Sequence, residues 1–270
     1  MAGASGTVVD VHCHIGPSLL AEELVSMMDE AGVDKAVVFP CPSAWSLPDP
    51  ENYYNTNDYI AEAQSRYPGR LVGFTCINPH HAGDHSMKMP DLAVREVRRC
   101  VTELGLRGLK LHPEQHCFTV SSLIGSALME TLVELQQQTG RKIPVLCHGM
   151  TTLGAMPEHF AMLASRYPSV PIIIAHGGGF QNLYFTSIGP IAEHDNLFVD
   201  LAMTTVDDSH LLAVADRIGV GKVLFGSDHF TRTQRNLYRN FLFMLEGAFP
   251  NAEDRQRILG GNAIQLLGLA

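Results

Sequence analysis

Two imidazoles stand two positions apart in Val9-Asp10-Val11-His12-Cys13-His14. On a strand, residues i and i+2 share a face, so His12 and His14 would converge while Cys13 turns away. Paired imidazoles on one strand face are suited to holding a metal ion. A chain with 13 histidines produces some such pairs by chance, so the reading depends on whether other strand ends deliver further ligands. Lys110 and His112 lie in Gly108-Leu109-Lys110-Leu111-His112-Pro113, and His148 follows Val145-Leu146-Cys147. His176 follows Ile174-Ala175, and Asp228 ends Leu224-Phe225-Gly226-Ser227. Each has a plainer explanation when taken singly. A histidine after a strand often anchors a loop, an aspartate after Gly-Ser often caps a turn, and a lysine usually snorkels to solvent. Repetition at four strand ends is harder to explain that way. Three neutral imidazoles and a carboxylate suit zinc or a similar divalent ion.

The elements that must position these groups are short apolar runs alternating with helical patterns. The runs are Thr7 to Val11, Ala36 to Phe39, Leu71 to Ile77, Leu106 to Leu111, Ile143 to Cys147, Ile172 to Ala175, Leu197 to Leu201 and Val223 to Gly226. Each is continuously hydrophobic, as strands covered on both faces should be. Helical patterns separate them, for example Leu123 to Thr139, where Leu123, Ala127, Leu128, Thr131, Leu132 and Leu135 share a face. Eight strand–helix units in 270 residues predict a (β/α)₈ TIM barrel, an α/β fold, as a single domain over residues 1–270. The structural alternative is a doubly wound open sheet. In a barrel the reacting groups gather at the C-terminal strand ends, which is where these residues fall.

Taken in order and spacing, the motifs resemble the amidohydrolase superfamily, and within it the amidohydrolase 2 group that includes aminocarboxymuconate semialdehyde decarboxylase. The matching pieces are Asp10-x-His12-x-His14, Gly108-x-Lys110-x-His112-Pro113, His148, His176-Gly177-Gly178, Phe225-Gly226-Ser227-Asp228 and Ile258-Leu259-Gly260-Gly261-Asn262-Ala263. The resemblance implies that His12, His14, His148 and Asp228 hold one divalent metal, zinc foremost, with His176 and Asp228 as the catalytic acid/base groups. A metal-bound water would then have its pKa lowered towards ~7. Asp10 reads as a group that orients the ligands from one layer deeper on the same strand face. Lys110 leaves three roles open: bridging a second metal, pairing with a substrate carboxylate, or forming a salt bridge inside the barrel. Two reactions fit the same cage. The first is hydrolysis of a small-molecule amide, lactone or ester by a metal-activated water. The alternative is non-oxidative decarboxylation of an unsaturated or aromatic carboxylic acid. A homodimer is expected from the resemblance alone.

Weaker substrate-pocket candidates are His112, Trp45 in the Pro-rich stretch after the second strand, His80 after the third, and Arg232 just past the eighth. His81, His85, Phe180, Tyr184, Met203 and Arg235 are further possibilities. A net charge of −9 argues against a nucleic-acid partner. The resemblance implies a small-molecule substrate, with a carboxylate among the candidates. No run of about 18 apolar residues predicts a membrane span. Six cysteines with no C-x-x-C pair read as reduced thiols of a cytosolic protein. No G-x-S-x-G elbow, P-loop or H-E-x-x-H is present.

Overall fold

All eight apolar runs are strands: β1 (Val9–Ile15), β2 (Lys35–Pro40), β3 (Leu71–Cys76), β4 (Gly108–Leu111), β5 (Val145–Cys147), β6 (Ile172–Ile174), β7 (Leu197–Asp200) and β8 (Val223–Leu224). The computed structural model describes residues 6–40, 50–79, 91–149, 153–178, 189–202 and 208–269, with backbone alone at 50–54 and 208–210. The strands pair in parallel in the order β1 to β8. Helices α1 (Ala21–Ala31), α2 (Pro50–Arg66), α3 (Asp91–Thr102), α4 (Leu123–Thr139) and α5 (Pro157–Arg166) follow the first five strands. Residues 189–192 are helical between β6 and β7. α6 (Asp208–Ile218) precedes β8, and α7 (Leu237–Ala248), α8 (Ala252–Gln256) and α9 (Asn262–Leu267) follow it. The chain is a single-domain (β/α)₈ barrel.

Closure takes place beside the candidate site. The Val11 N–H donates to Phe225 O at 2.9 Å, the Asp228 N–H to His12 O at 2.8 Å, and the His14 N–H to His229 O at 2.7 Å. The loop after β8 is therefore laid along β1, the strand that carries the paired imidazoles.

The apolar residues sort into two layers. Val9, Val11, Val37, Phe39, Phe74, Leu146, Ile173 and Leu224 fill the barrel, and Ala263, Leu266 and Leu267 of α9 plug its lower end. Cys13, Ile15, Val38, Leu109, Cys147 and Ile174 face the helices. Val9 and Val11 point inward while Cys13 and Ile15 point outward, so the alternation of β1 slips once. The cause is an extra residue. Asp10 pairs with Ala36 and Cys13 with Val38, three residues against two, which is a β-bulge. The bulge turns His12 and His14 inward. It also overturns the expectation that Asp10 lies on their face one layer deeper: Asp10 contacts Cys13, Ser227 and Tyr238 of α7 on the helix side of the strand.

The C-terminal motif holds the floor of the barrel. Asn262 Nδ2 donates to the carbonyls of Val220 and Val223, both at 2.8 Å. Gly260, in the wide helical turn Arg257–Gly261, packs on the chain leading into β1. A Cβ there would overlap the Thr7 carbonyl oxygen and press on Val9 N. Gly260→Ala should therefore destabilise the fold by roughly 1–3 kcal/mol or more, as overpacking against backbone does. Urea unfolding would read this as a lower midpoint with an unchanged slope.

Candidate metal centre

The bulged strand β1 places His12 and His14 with their rings 5.4 Å apart, both against the Phe39 ring. Asp228 from the β8 loop meets them. Its Oδ1 lies 3.0 Å from His14 Nε2 and 3.4 Å from His12 Nε2. His176 joins from the end of β6, and ligand atoms of His12, His176 and Asp228 all lie within 4.8 Å of one another. Lys110 rises from inside β4, fully buried, with Nζ 3.1 Å from His12 Nε2 and 4.6 Å above the Phe39 ring.

The outer nitrogens decide which way the lone pairs face. His14 Nδ1–H donates to Pro40 O at 2.9 Å, and His176 Nδ1–H to Ala202 O at 3.1 Å. A carbonyl only accepts, so each of these nitrogens carries a proton. His12 Nδ1–H donates to Asp200 Oδ2 at 2.8 Å. Burial, with Lys110 adding to it, pushes the His12 imidazolium well below its usual range, and burial also lowers His14. A neutral ring protonated on Nδ1 bears a lone pair on Nε2. The His14 lone pair thus faces the Asp228 carboxylate oxygen at 3.0 Å, and the His12 lone pair meets Lys110 Nζ at 3.1 Å with the same oxygen 3.4 Å away. Lone pair against lone pair is repulsive, and a cation between them removes the conflict. The three outward N–H bonds are also the usual supports of metal-binding imidazoles. The residues therefore fit a divalent ion.

Backbone strain concentrates at the same place. Among the described non-glycine residues, positive φ occurs only at Cys117, His176 (66°) and Asp228 (58°). The left-handed conformation costs an L-residue on the order of 1–3 kcal/mol and persists where surrounding contacts impose it. Two carboxylates supply such contacts. Asp200 Oδ1 accepts from the His176 N–H at 2.9 Å and the Ala202 N–H at 3.0 Å. Asp10 Oδ1 accepts from the His12 N–H and the Ser227 N–H, each at 3.0 Å. Its Oδ2 accepts from Ser227 Oγ at 2.5 Å and Cys13 Sγ at 2.8 Å. Asp200 is absent from the reading of the sequence, although a carboxylate inside the apolar run Leu197 to Leu201 was its signal. A buried charge must have partners.

The other sequence-level candidates fall in different places. His148 stands behind His176, with Nδ1 2.9 Å from His176 Nε2, and its ring stacks on His112 at 3.9 Å and 12°. His148 Nε2 is 3.4 Å from Glu114 Oε2. His112, Glu114 and His148 group their ligand atoms within 4.8 Å, but nearly parallel rings aim their lone pairs side by side and not at one point. Arg232 turns away, its Nη2 donating to Pro17 O at 3.2 Å and its Nε 3.5 Å from Glu23 Oε1. Trp45, His80, His81, His85, Phe180, Tyr184 and Met203 lie outside the described residues.

A family model for amidohydrolases matches residues 9–269. The chain belongs to the amidohydrolase family. One relative of this amidohydrolase is a 2-amino-3-carboxymuconate-6-semialdehyde decarboxylase from Dictyostelium discoideum. It is 25% identical over 248 residues, 79% of this chain, and the chain spans 65% of that relative's length. Among solved structures, 2,6-dihydroxybenzoate decarboxylase complexed with 2,6-dihydroxybenzoate superposes with a TM-score of 0.73 at 17% identity, covering 98% of this chain and 100% of that one. The 5-carboxyvanillate decarboxylase of Novosphingobium aromaticivorans was solved with bound manganese and 3-methoxy-4-hydroxy-5-nitrobenzoic acid. It has a TM-score of 0.73 at 14% identity, covering 100% of this chain and 99% of that one. These likenesses to solved structures show the same barrel fold. Among the described residues of the amidohydrolase, no helix is long and apolar enough to cross a membrane.

The seam also predicts a pH dependence. Burial pushes the Asp10 carboxyl up to about 6 from an ordinary 3.8, with hydrogen bonds from Cys13 and Ser227 opposing. Between those values the unfolded chain has released a proton that the folded chain keeps. Asp10 therefore removes stability as pH rises from about 4 to about 6, and the loss is complete above that window. Its size is about 3 kcal/mol. Asp10→Asn should flatten this part of the stability curve relative to wild type, as measured by denaturant unfolding across pH 4–7 (an approximate window set by the same linkage).

Proposed function

We propose that this amidohydrolase is a metal-dependent, non-oxidative decarboxylase of a small unsaturated or aromatic carboxylic acid. The carrying observation is the convergence of His12 Nε2 and His14 Nε2 on Asp228, with the buried Lys110 amine in contact with His12 Nε2. The decarboxylases among its relatives support the same reaction. Hydrolysis requires a water aimed at a carbonyl. Decarboxylation requires a carboxylate held in place and a proton for the carbon it leaves, and a buried amine beside His12 suits an anionic substrate.

His12, His14 and Asp228 would hold the ion, with His148 completing the set and zinc or manganese the candidates for this nitrogen-rich ligand sphere. When bound, the ion polarises a substrate oxygen and neutralises charge developing beside it. Lys110 pairs with the substrate carboxylate or a neighbouring oxygen. The bond from the substrate carbon to that carboxylate breaks, carbon dioxide leaves, and the electron pair stays on carbon. His176 delivers a proton to that carbon, so each turnover consumes one proton. Asp228, on its strained turn, carries charge that helps align the substrate and serves His176 as a proton partner. His176 groups with His12 and Asp228, and His148 adjoins it with Nδ1 2.9 Å from His176 Nε2. A cytosolic homodimer, expected from the reduced cysteines and the family resemblance, belongs to the same proposal.

His148→Ala should weaken metal binding by more than roughly 10-fold. His176→Asn should retain the ion and lose roughly 100-fold or more in turnover. Equilibrium dialysis with zinc and manganese, run beside the assay, reads both, and the reverse pattern would exchange the two roles. For the reaction itself, carbon dioxide release from panels of hydroxybenzoates and unsaturated acids should appear with metal and vanish after chelation. Hydrolysis of lactone or amide panels with no carbon dioxide release would overturn the decarboxylase reading.

A further inference from the structure

We propose that Asp200 is a positioning residue that selects the protonated nitrogen of His12 and the orientation of His176. Resting on the reading above of His12 Nε2 as an ion-facing atom, it assigns a function to a residue at the end of β7 that carries no recognised motif. Asp200 is fully buried, and three hydrogen bonds account for its two oxygens. Oδ2 takes the proton-bearing Nδ1 of His12 at 2.8 Å. With Oδ2 accepting, this contact holds the ring in the Nδ1–H tautomer and leaves Nε2 bare, where Lys110 Nζ meets it at 3.1 Å. Oδ1 takes the backbone N–H of His176, a residue held at a left-handed φ of 66°, whose ring joins His12 and Asp228 in one cluster. The Ala202 carbonyl, two residues on, fixes the other end of the His176 ring at 3.1 Å.

One short segment of β7 thus sets a tautomer on β1 and a backbone turn after β6. The neighbouring strand is built to admit this. A Cβ at Gly226 would come within 3.1 Å of the Cβ atoms of both His12 and Asp200, and 3.2 Å of Asp200 Cγ. The absence of a side chain at 226 lets the carboxylate and the imidazole close on each other.

Asparagine discriminates a tautomer-setting role from a packing role. In Asp200→Asn the remaining carbonyl oxygen still accepts the two backbone N–H groups, so the clamp on His176 survives. The new amide N–H₂ faces His12 Nδ1 and can only donate, which moves the ring proton to Nε2. In the chelator-treated full-length chain, long-range nitrogen–proton NMR correlations on the His12 ring should show Nδ1–H in wild type and Nε2–H in Asp200→Asn. Manganese affinity by equilibrium dialysis should fall roughly 10- to 100-fold in the variant, the usual effect of losing an outer support of a metal-binding histidine. Wild type already in the Nε2–H form would overturn the inference, without recourse to any variant. So would Asp200→Asn that keeps Nδ1–H and wild-type affinity. If wild type takes up neither manganese nor zinc, the metal reading of the site fails, and the tautomer measurement still decides the part played by Asp200.

Discussion

The contact on which the rest depends is the seam between β1 and the loop after β8. A parallel barrel closes only if its first and last strands meet, and here they meet through backbone bonds from Val11, His14 and Asp228. Asp10 reinforces them by accepting from the backbone N–H groups of both His12 and Ser227. The same seam carries three of the candidate ligands. Closing the barrel and bringing His12, His14 and Asp228 together are therefore one structural event, and the stability of the fold cannot be separated from the geometry of the site.

Burial gives that geometry its chemistry. Exposed imidazoles would titrate near neutral pH, whereas His12 and His14 are kept neutral by desolvation. Their outer nitrogens are occupied by a carboxylate and a carbonyl, so lone pairs face inward. Lys110, also buried, puts a basic group next to these lone pairs, and desolvation lowers its pKa as well.

Much of this was legible in the sequence. The eight strands announced themselves as apolar runs, because a strand covered on both faces has no polar side to interrupt it. His12, His14, His176 and Asp228 were found by asking what stands where those runs stop. Asp10 was placed on the wrong face, because a bulge adds a residue without changing composition, and alternation counted from Val9 cannot reveal it. Asp200 has no signal at a strand end because it lies inside the run; its importance comes from contacts to His12 and His176, 188 and 24 positions away. His148 is expected in one cage with His12; its contacts with His176 and the stacked His112 ring are ones that no spacing rule encodes.

The seam has a consequence for biosynthesis. Asp10 and Ser227 are 217 positions apart, so residues made earlier in translation wait for residues made much later before the site can exist. Contacts this distant are slow to form, since the intervening chain must first be ordered. A ribosome-bound chain that has emerged only through β7 would carry His12, His14, His148 and His176 without the carboxylate that gathers them. Such a chain would be helical and partly packed yet unable to hold an ion in the arrangement described, and a metal-loaded site would mark completion of the barrel during synthesis.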